Sequence, residues 1–365
     1  MTAQTAVGRG APAPAPSRDA AVAPERLRRR FLEARWRYAA SLGVLAAVYL
    51  AIFGWLLATT DLLPYVYDNG ETFSALWHAA NLYHFGLYPS WGLTDEAISP
   101  NPAAHPFVHS HQGNFPRLFA FLIYVLGAQT AESQILVTTF TVGAVAMVLA
   151  FVFLARRAGP GFALLAGLVF MTDYLFFVQW QVVTYRVWHV FFVFSSLLCV
   201  DGIGGPRRRR WLALTFLNFL ALFYFELIFV AFVSIFAGLY AAWSYRARLT
   251  VAVRFWLAQA AGGALSLAVL FLQAALFLGP AVFIEDLYLT YFARNLAAND
   301  PGMLDRLDRF YRAHPIIFWF NIIDVRDLRS VSAFVEQLYR WHFEALTPFL
   351  VLLMTIVVAG WLLGG

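Results

Sequence analysis

The feature that most constrains this chain is a series of apolar runs separated by short arginine clusters. A helix of about 20 apolar residues crosses the hydrocarbon core of a bilayer. Runs of this kind occupy residues 38–59, 133–155, 161–179, 183–200, 254–278 and 343–363. Charged residues make up 13% of the chain, whereas a soluble domain carries about 25%. The sequence therefore predicts an all-α, polytopic integral membrane protein.

A further apolar run, 211–244, is long enough for two short spans. As one helix it would extend roughly 50 Å, well beyond a hydrocarbon core of about 30 Å. Arginines flank it at Arg207–Arg210 and at Arg246 and Arg248, so a single span would place one cluster outside. A hairpin that turns near Tyr224–Glu226 keeps both clusters inside. The single long span is the alternative, but we expect the hairpin and therefore eight transmembrane helices.

The placement of the arginines also indicates the orientation. They account for all 26 residues of the Lys+Arg total, and most of them fall in four clusters: the N-terminal segment, 156–157, 207–210 and 246–254. Because positive charge accumulates in cytoplasmic loops, we expect an inner (cytoplasmic) membrane protein with a cytoplasmic N-terminus. The outer loop 60–132 and a second outer segment, 279–342, then face the periplasm or extracytoplasmic space. A net charge of +5 could suit nucleic acid, but arginines confined to loops between spans argue against such a partner.

Two domains are expected. Residues 1–37 form an Ala/Pro-rich disordered tail and a basic cytoplasmic helix, without the apolar core of a signal peptide. Residues 38–365 form the transmembrane domain. In its outer loop, "ETFSALWHAANLYHFG" and "PRLFAFLIYVLGA" are too short to span and predict two interfacial helices. The apolar stripe of the first comprises Phe73, Leu76, Trp77, Ala80, Leu82 and Tyr83.

Two acids open this first interfacial helix. Asp68 and Glu71 are three residues apart, so in a helix their carboxylates share one face. Beside a low-dielectric surface, such a pair can contain one ionised carboxylate and one that exchanges a proton. This suits a base that accepts the proton of an acceptor hydroxyl. The alternative is that acidic residues are simply favoured at a helix N-terminus.

A histidine-rich stretch precedes the second interfacial helix. His105, His109 and His111 lie close to Asn114 and Arg117. The spacing of His109 and His111 resembles half of a metal site, but a third ligand at fixed spacing is missing. Hydrogen bonding to a sugar or phosphate is therefore favoured, and no metal ligand is assigned. Arg117, directly after a proline at a helix start, suits a phosphate, although interfacial snorkelling is an equal alternative.

Other ionisable residues lie at the outer ends of the predicted spans. Arg186 and His189 begin one span, Glu226 lies at the hairpin turn, and Arg294 belongs to the second outer segment. Ionisable groups at such depths tend to line a polar cavity, so we expect these residues to contact substrate. A structural salt bridge, such as Arg186 with Asp173, is the alternative for any one of them.

The order of these motifs resembles the GT-C superfamily of polytopic glycosyltransferases. The resemblance covers roughly residues 38–245 and rests on the acidic opening "DNGETFSALWHAANLYHFG", the stretch "HPFVHSHQGNFPRLFAFLIYVLGAQTAES" and the span end "FLARRAGPGFALLAGLVF". It implies a sugar donor linked to polyprenyl phosphate, with Asp68 as the base and with His109, His111 and Arg117 shaping the sugar-phosphate pocket. The sequence departs from the family where Asn69 and Gly70 separate the two acids and where "YFE" replaces a basic residue.

Two functions from different classes follow. The first is transfer of a sugar from a polyprenyl-phosphate donor to an acceptor on the outer face of the membrane. No cofactor is assigned, and a role for a divalent cation stays open. The second is a non-catalytic integral-membrane subunit of a larger complex that retains the same fold. The 36 phenylalanines suit packing against membrane lipids and partner helices in either case.

Overall fold

The computed structural model describes residues 18–59, 69–87, 89–95, 97, 106–109, 115–171, 180, 182–184, 186–225, 227–293 and 301–317. The helices are α1 (Arg18–Thr59), α2 (Asn69–Phe85), α3 (Phe115–Val125), α4 (Ala131–Thr138), α5 (Ala144–Ala158), α6 (Pro160–Met171), α7 (Arg186–Ile203), α8 (Arg208–Phe223), α9 (Leu227–Ser244), α10 (Leu249–Leu278), α11 (Pro280–Ala293) and α12 (Pro301–Ala313). A π-helix, Thr139–Gly143, joins α4 to α5. Two short strands, β1 (Thr94–Asp95) and β2 (Val108–His109), pair antiparallel.

Within the described residues, three helical stretches are long and apolar enough to cross a membrane: Arg35–Leu56, Ala131–Ala158 and Leu249–Leu278. Shorter apolar helices accompany them, among them Pro160–Met171 and Val187–Ile203. The chain is therefore a helical membrane protein, as its sequence predicts. The expected span 343–363 lies outside the described residues, so the total of eight spans and their orientation remain predictions.

The long apolar run 211–244 is two helices, broken where the sequence predicted a turn. Helix α8 ends at Phe223 and α9 begins at Leu227. The turn is tied to its surroundings, because the hydroxyl of Tyr224 contacts Gln273 of α10 and the carbonyl of Tyr224 accepts a 2.9 Å hydrogen bond from the N–H of Phe115. This second bond connects the turn to the start of α3.

Helix α7 lies at the centre of the described bundle. It packs against α5, α8 and α9, and it buries Val187, Phe192 and Val200 completely. Helices α8 and α10 cross closely at Gly262, where an added Cβ would lie 2.4 Å from the carbonyl oxygen of Phe216. Small residues at such crossings allow helix backbones to approach in membranes. The crossing thus depends on the absence of a side chain at Gly262.

The second outer segment forms a packed pair of helices where it is described. Leu289 of α11 is buried with Leu307 and Phe310 of α12. The hydroxyl of Tyr311 donates a 2.9 Å hydrogen bond to the buried carboxylate of Asp286. The strand residue Val108 joins this unit through its N–H, which bonds the carbonyl of Ile316 at 2.8 Å, so the two outer segments are in contact.

Candidate functional site

Helices form at both stretches for which the sequence predicts interfacial helices, and these two helices, α2 and α3, pack against each other. Helix α2 contributes the buried Ala75 and Ala79, and α3 contributes Ala120 and Tyr124. Alanines at the contact let the two backbones approach closely. This places the first turn of α2 beside the first turn of α3, and each of those turns carries a charged residue.

Those charged residues, Glu71 and Arg117, form an ion pair. The Nη2 atom of Arg117 donates to Oε2 of Glu71 at 2.9 Å. The Nε and Nη2 atoms of Arg117 also donate to the hydroxyl oxygen of Ser74, at 3.1 and 2.9 Å. The side chain of Arg117 is 3% exposed and that of Glu71 is 13% exposed. The guanidinium is thus buried with its charge directed at a protein carboxylate.

A third element completes this cluster. The hydroxyl of Thr184, which lies just before α7, donates to Oε2 of Glu71 at 3.1 Å. Its neighbour Val183 is fully buried, and the carbonyl of Val183 accepts a 2.9 Å hydrogen bond from Nε1 of Trp188. The segment that carries Thr184 is therefore fixed against α7. Glu71 receives donors from two separate parts of the chain.

The sequence predicted that Arg117 contacts a phosphate, and no ligand in the structure tests that prediction; the partner that the structure shows for Arg117 is Glu71. A phosphate ligand needs an accessible guanidinium, whereas this guanidinium is buried and paired inside the protein. Charge-assisted hydrogen bonds of this kind hold the carboxylate of Glu71 in one orientation. Arg117 and Thr184 thus fix the position of the Glu71 side chain. Asp68, one helical turn earlier in the sequence, lies outside the described residues.

Of the other residues predicted to contact substrate, His189 is the one whose side chain is described. Its ring packs against Phe225 and Phe229, with ring centroids 5.2 and 4.1 Å apart. For two more, only the backbone is described: His109 lies in β2 and Arg186 begins α7. The predicted residues that lie outside the described part of the chain are Asp68, His105, His111, Asn114, Glu226 and Arg294.

Sequence reasoning missed a second buried polar cluster on α2. The Oδ1 atom of Asp95 accepts hydrogen bonds from the N–H groups of Ala97 and Phe107, at 3.0 and 2.9 Å. The N–H of Asp95 donates to Nδ1 of His78 at 3.0 Å, and the amide of Asn81 donates to the carbonyls of Asp95 and Ala97. The hydrogen bond from the N–H of Ala97 to the carboxylate of Asp95, two residues earlier, has the spacing of an Asx-turn. This spacing is the one local feature of the sequence that indicates the cluster. This cluster fixes the outer loop on α2.

A separate charged cluster lies at the other end of α7. Arg157 of α5 donates to Oδ1 of Asp201, and the hydroxyl of Tyr240 donates to the same atom at 2.8 Å. The guanidinium of Arg157 also lies 5.2 Å from the centre of the Tyr240 ring, a cation–π contact. Since α7 has 18 residues, it extends about 27 Å at 1.5 Å per residue. Its length is thus close to one hydrocarbon thickness of about 30 Å.

The cluster around Glu71 can orient a carboxylate and hold its charge next to the start of α2. Its hydrogen-bond donors come from α3 and from the segment before α7. The chain matches no family model, no characterised protein and no solved structure.

Proposed function

We propose that the protein is a membrane glycosyltransferase that transfers a sugar from a polyprenyl-phosphate donor to an acceptor at the outer membrane face. The observation that supports this most directly is the cluster of Glu71, Arg117 and Thr184. It organises the helix turn that follows Asp68 and joins the two outer helices to the first residues of α7.

The two ends of α7 support an outer position for the Glu71 cluster. Thr184 precedes its first turn, while Asp201 and Arg157 mark its last turn. The arginine clusters at 156–157 and 207–210 lie at this second end, and arginine clusters mark cytoplasmic loops. With about 27 Å of helix between the two ends, the Glu71 cluster belongs at the opposite, outer surface. Donors with a long lipid tail can reach such a site within the membrane plane.

In the proposed reaction, Asp68 accepts the proton of the acceptor hydroxyl. The acceptor oxygen forms a bond to the anomeric carbon of the sugar as the bond from that carbon to the phosphate oxygen breaks. The electron pair of the breaking bond leaves with the polyprenyl phosphate. His109, Arg186 and Arg294 are the residues proposed to stabilise that phosphate, since Arg117 is already paired with Glu71.

Replacement of Asp68 by asparagine tests the proposed base. We expect transfer from a panel of polyprenyl-phosphate sugars to fall by about 10²–10⁴-fold, with donor binding retained. Asp308→Asn is the matched control, because this exposed aspartate forms a surface pair with Arg312 and should leave transfer unchanged. Wild-type transfer rates in Asp68→Asn would refute the assignment. Wild-type protein that neither binds nor transfers any donor of the panel would favour the non-catalytic subunit.

Glu71 is proposed to act on Asp68 through its charge and not on the substrate. Replacing it with glutamine keeps an acceptor for Thr184 and Arg117 but removes one negative charge three residues from Asp68 in the sequence. A nearby negative charge disfavours ionisation of a carboxylic acid. We therefore expect the acidic limb of the pH–rate profile to move to lower pH in Glu71→Gln. A lower rate without this displacement would assign Glu71 a structural role only.

A further inference from the structure

A cleft rich in arginine lies between the start of α8 and the start of α10, at the end of the bundle opposite to Glu71. Its volume is about 570 Å³, within the range of roughly 300–1,000 Å³ that is usual for small-molecule sites. The turn from Gly204 to Pro206 lines one side. Five arginines line the rest: Arg207, Arg208, Arg209, Arg210 and Arg248.

The glycine turn that forms this cleft is held in place by Tyr245. The hydroxyl of Tyr245 accepts a 3.0 Å hydrogen bond from the N–H of Gly204 and donates one of 2.8 Å to the carbonyl of Val200. Burial raises the pKa of Tyr245 above its ordinary value, so the hydroxyl stays protonated at neutral pH. A Cβ at Gly204 would lie 2.6 Å from that hydroxyl. The cleft is thus part of the packed structure.

The positive charge of this cleft is not balanced within the described part of the chain. None of its five arginines forms an ion pair with a described acidic residue, whereas Arg157 at the same end pairs with Asp201. All five side chains are exposed. Like charges that converge on one concavity repel each other unless an anion lies between them. The arrangement therefore favours a bound anion.

Two helix N-termini add to this potential. Arg207 and Arg248 are the N-cap residues of α8 and α10, and neither side chain makes a capping hydrogen bond. The first N–H groups of an α-helix have no acceptor within the helix, and the helix dipole places partial positive charge there. Such N–H groups bind phosphate oxygens readily. Here they reinforce a cluster of guanidinium groups, which bind phosphates in a bidentate manner.

We propose that this cleft binds the phosphate groups of an anionic lipid of the cytoplasmic leaflet, with a headgroup that carries two negative charges. Apolar side chains continue from the cleft along both helices, which suits acyl chains. Leu214 and Leu217 on α8, and Val253 and Leu257 on α10, are all exposed. Basic pockets between helices on the cytoplasmic side of membrane proteins bind lipid headgroups of this kind. A soluble diphosphate shares the headgroup chemistry but would gain nothing from these apolar side chains.

The test compares two triple variants of the full-length protein. Arg207→Gln/Arg208→Gln/Arg248→Gln removes three arginines of the cleft. The matched control, Arg156→Gln/Arg246→Gln/Arg254→Gln, removes three exposed arginines that do not line it. Cardiolipin is titrated in neutral detergent micelles, and its affinity is obtained from the shift in thermal unfolding. At about fivefold per arginine–lipid contact, we expect the cleft variant to bind roughly a hundredfold more weakly and the control to bind like wild type.

A second pair of variants distinguishes binding in the cleft from binding to the basic surface around it, and neither variant changes the charge of the protein. Gly205→Trp fills the cleft, while Gly205→Ala is the control, because the nearest atom to a Cβ at Gly205 is 3.4 Å away. Binding lost only in the tryptophan variant supports the site. Equal losses in both triple variants, or a tryptophan variant that binds like wild type, would overturn the proposal. Stabilisation by inorganic pyrophosphate that equals that by cardiolipin would refute a lipid as the ligand.

Discussion

The buried pair of Glu71 and Arg117 can be measured against an exposed pair of the same type in the same chain. Arg306 of α12 donates to Glu285 of α11, also at 2.9 Å. The side chains of that pair are 49% and 40% exposed, compared with 3% and 13% for Arg117 and Glu71. Residue types and distance are thus matched. The two pairs differ in exposure and in the hydrogen bonds that Ser74 and Thr184 add to the buried pair.

Arg117 donates hydrogen bonds to both the carboxylate of Glu71 and the hydroxyl of Ser74. Replacing Arg117 by alanine removes these bonds from a buried site. Removing one partner of a buried ion pair costs about 3–5 kcal/mol, whereas an exposed pair contributes about 0–1 kcal/mol. We therefore expect Arg117→Ala to lower the free energy of unfolding by about 3–5 kcal/mol and Arg306→Ala by less than about 1 kcal/mol. The first loss is a large part of a typical total of about 5–15 kcal/mol.

The assay is unfolding of the purified protein by SDS in mixed micelles, followed by tryptophan fluorescence. A double-mutant cycle over Arg117→Ala and Glu71→Ala gives the coupling energy between the two side chains, which we expect to exceed about 1 kcal/mol. An apolar replacement of both, Arg117→Met with Glu71→Leu, should be much less destabilising than Arg117→Ala alone, because it leaves no buried charge. Equal effects of Arg117→Ala and Arg306→Ala would refute the reasoning.

Two further predictions concern the bundle. Gly262→Ala should lower the free energy of unfolding by about 1–3 kcal/mol, because its Cβ would collide with the backbone of α8 at Phe216. The control is Gly54→Ala in α1, where a Cβ would meet no atom within 4 Å. This control should be neutral or slightly stabilising in the same SDS titration. With the native cysteine replaced, a cysteine at the exposed Leu87 should react with an impermeant maleimide in intact cells, and one at the exposed Ala247 should react only after the membrane is opened. The reverse labelling pattern would invert the topology.

The boundaries of the outer helices could be predicted because local signals mark them. Gly86 follows the last residue of α2 with a positive φ of 74°, as a C-terminal glycine often does. Pro116 lies in the first turn of α3, where its missing N–H is harmless. The break between α8 and α9 followed from the length of the apolar run and the arginines at both ends. These arguments need no knowledge of distant contacts.

The face that α2 turns toward the protein could not be predicted in the same way. The sequence marks a stripe with Phe73, Leu76 and Trp77, yet these side chains remain partly exposed. The structure buries small residues such as Ala75 and Ala79 instead. In a membrane the lipid is as apolar as the protein interior, so large apolar side chains are not driven inward and small residues mediate helix contacts. A hydrophobic stripe therefore indicates a helix but not its inner face.

The partners of Glu71 were also beyond prediction from sequence. Thr184 lies 113 residues further along the chain, and a threonine in an apolar run gives no sign of a hydrogen bond to a distant carboxylate. The pairing of Glu71 with Arg117 depends on how α2 and α3 cross, which composition does not determine. Two helices on one membrane surface could be expected to meet, but not which of their charged side chains would do so.

The charge distribution along α7 would allow the two proposed phosphate sites to act independently in one membrane protein. At the end of α7 next to Thr184, Arg117 is buried and paired with Glu71, so other groups would hold the phosphate in the proposed reaction. At its inner end the arginines of the cleft are exposed and lack described acidic partners. About 27 Å of apolar helix separates the two ends, so direct electrostatic coupling between the sites is weak at physiological ionic strength. A change in the arginine cleft should therefore alter lipid retention without moving the pH dependence of sugar transfer, and a change at Asp68 should do the opposite.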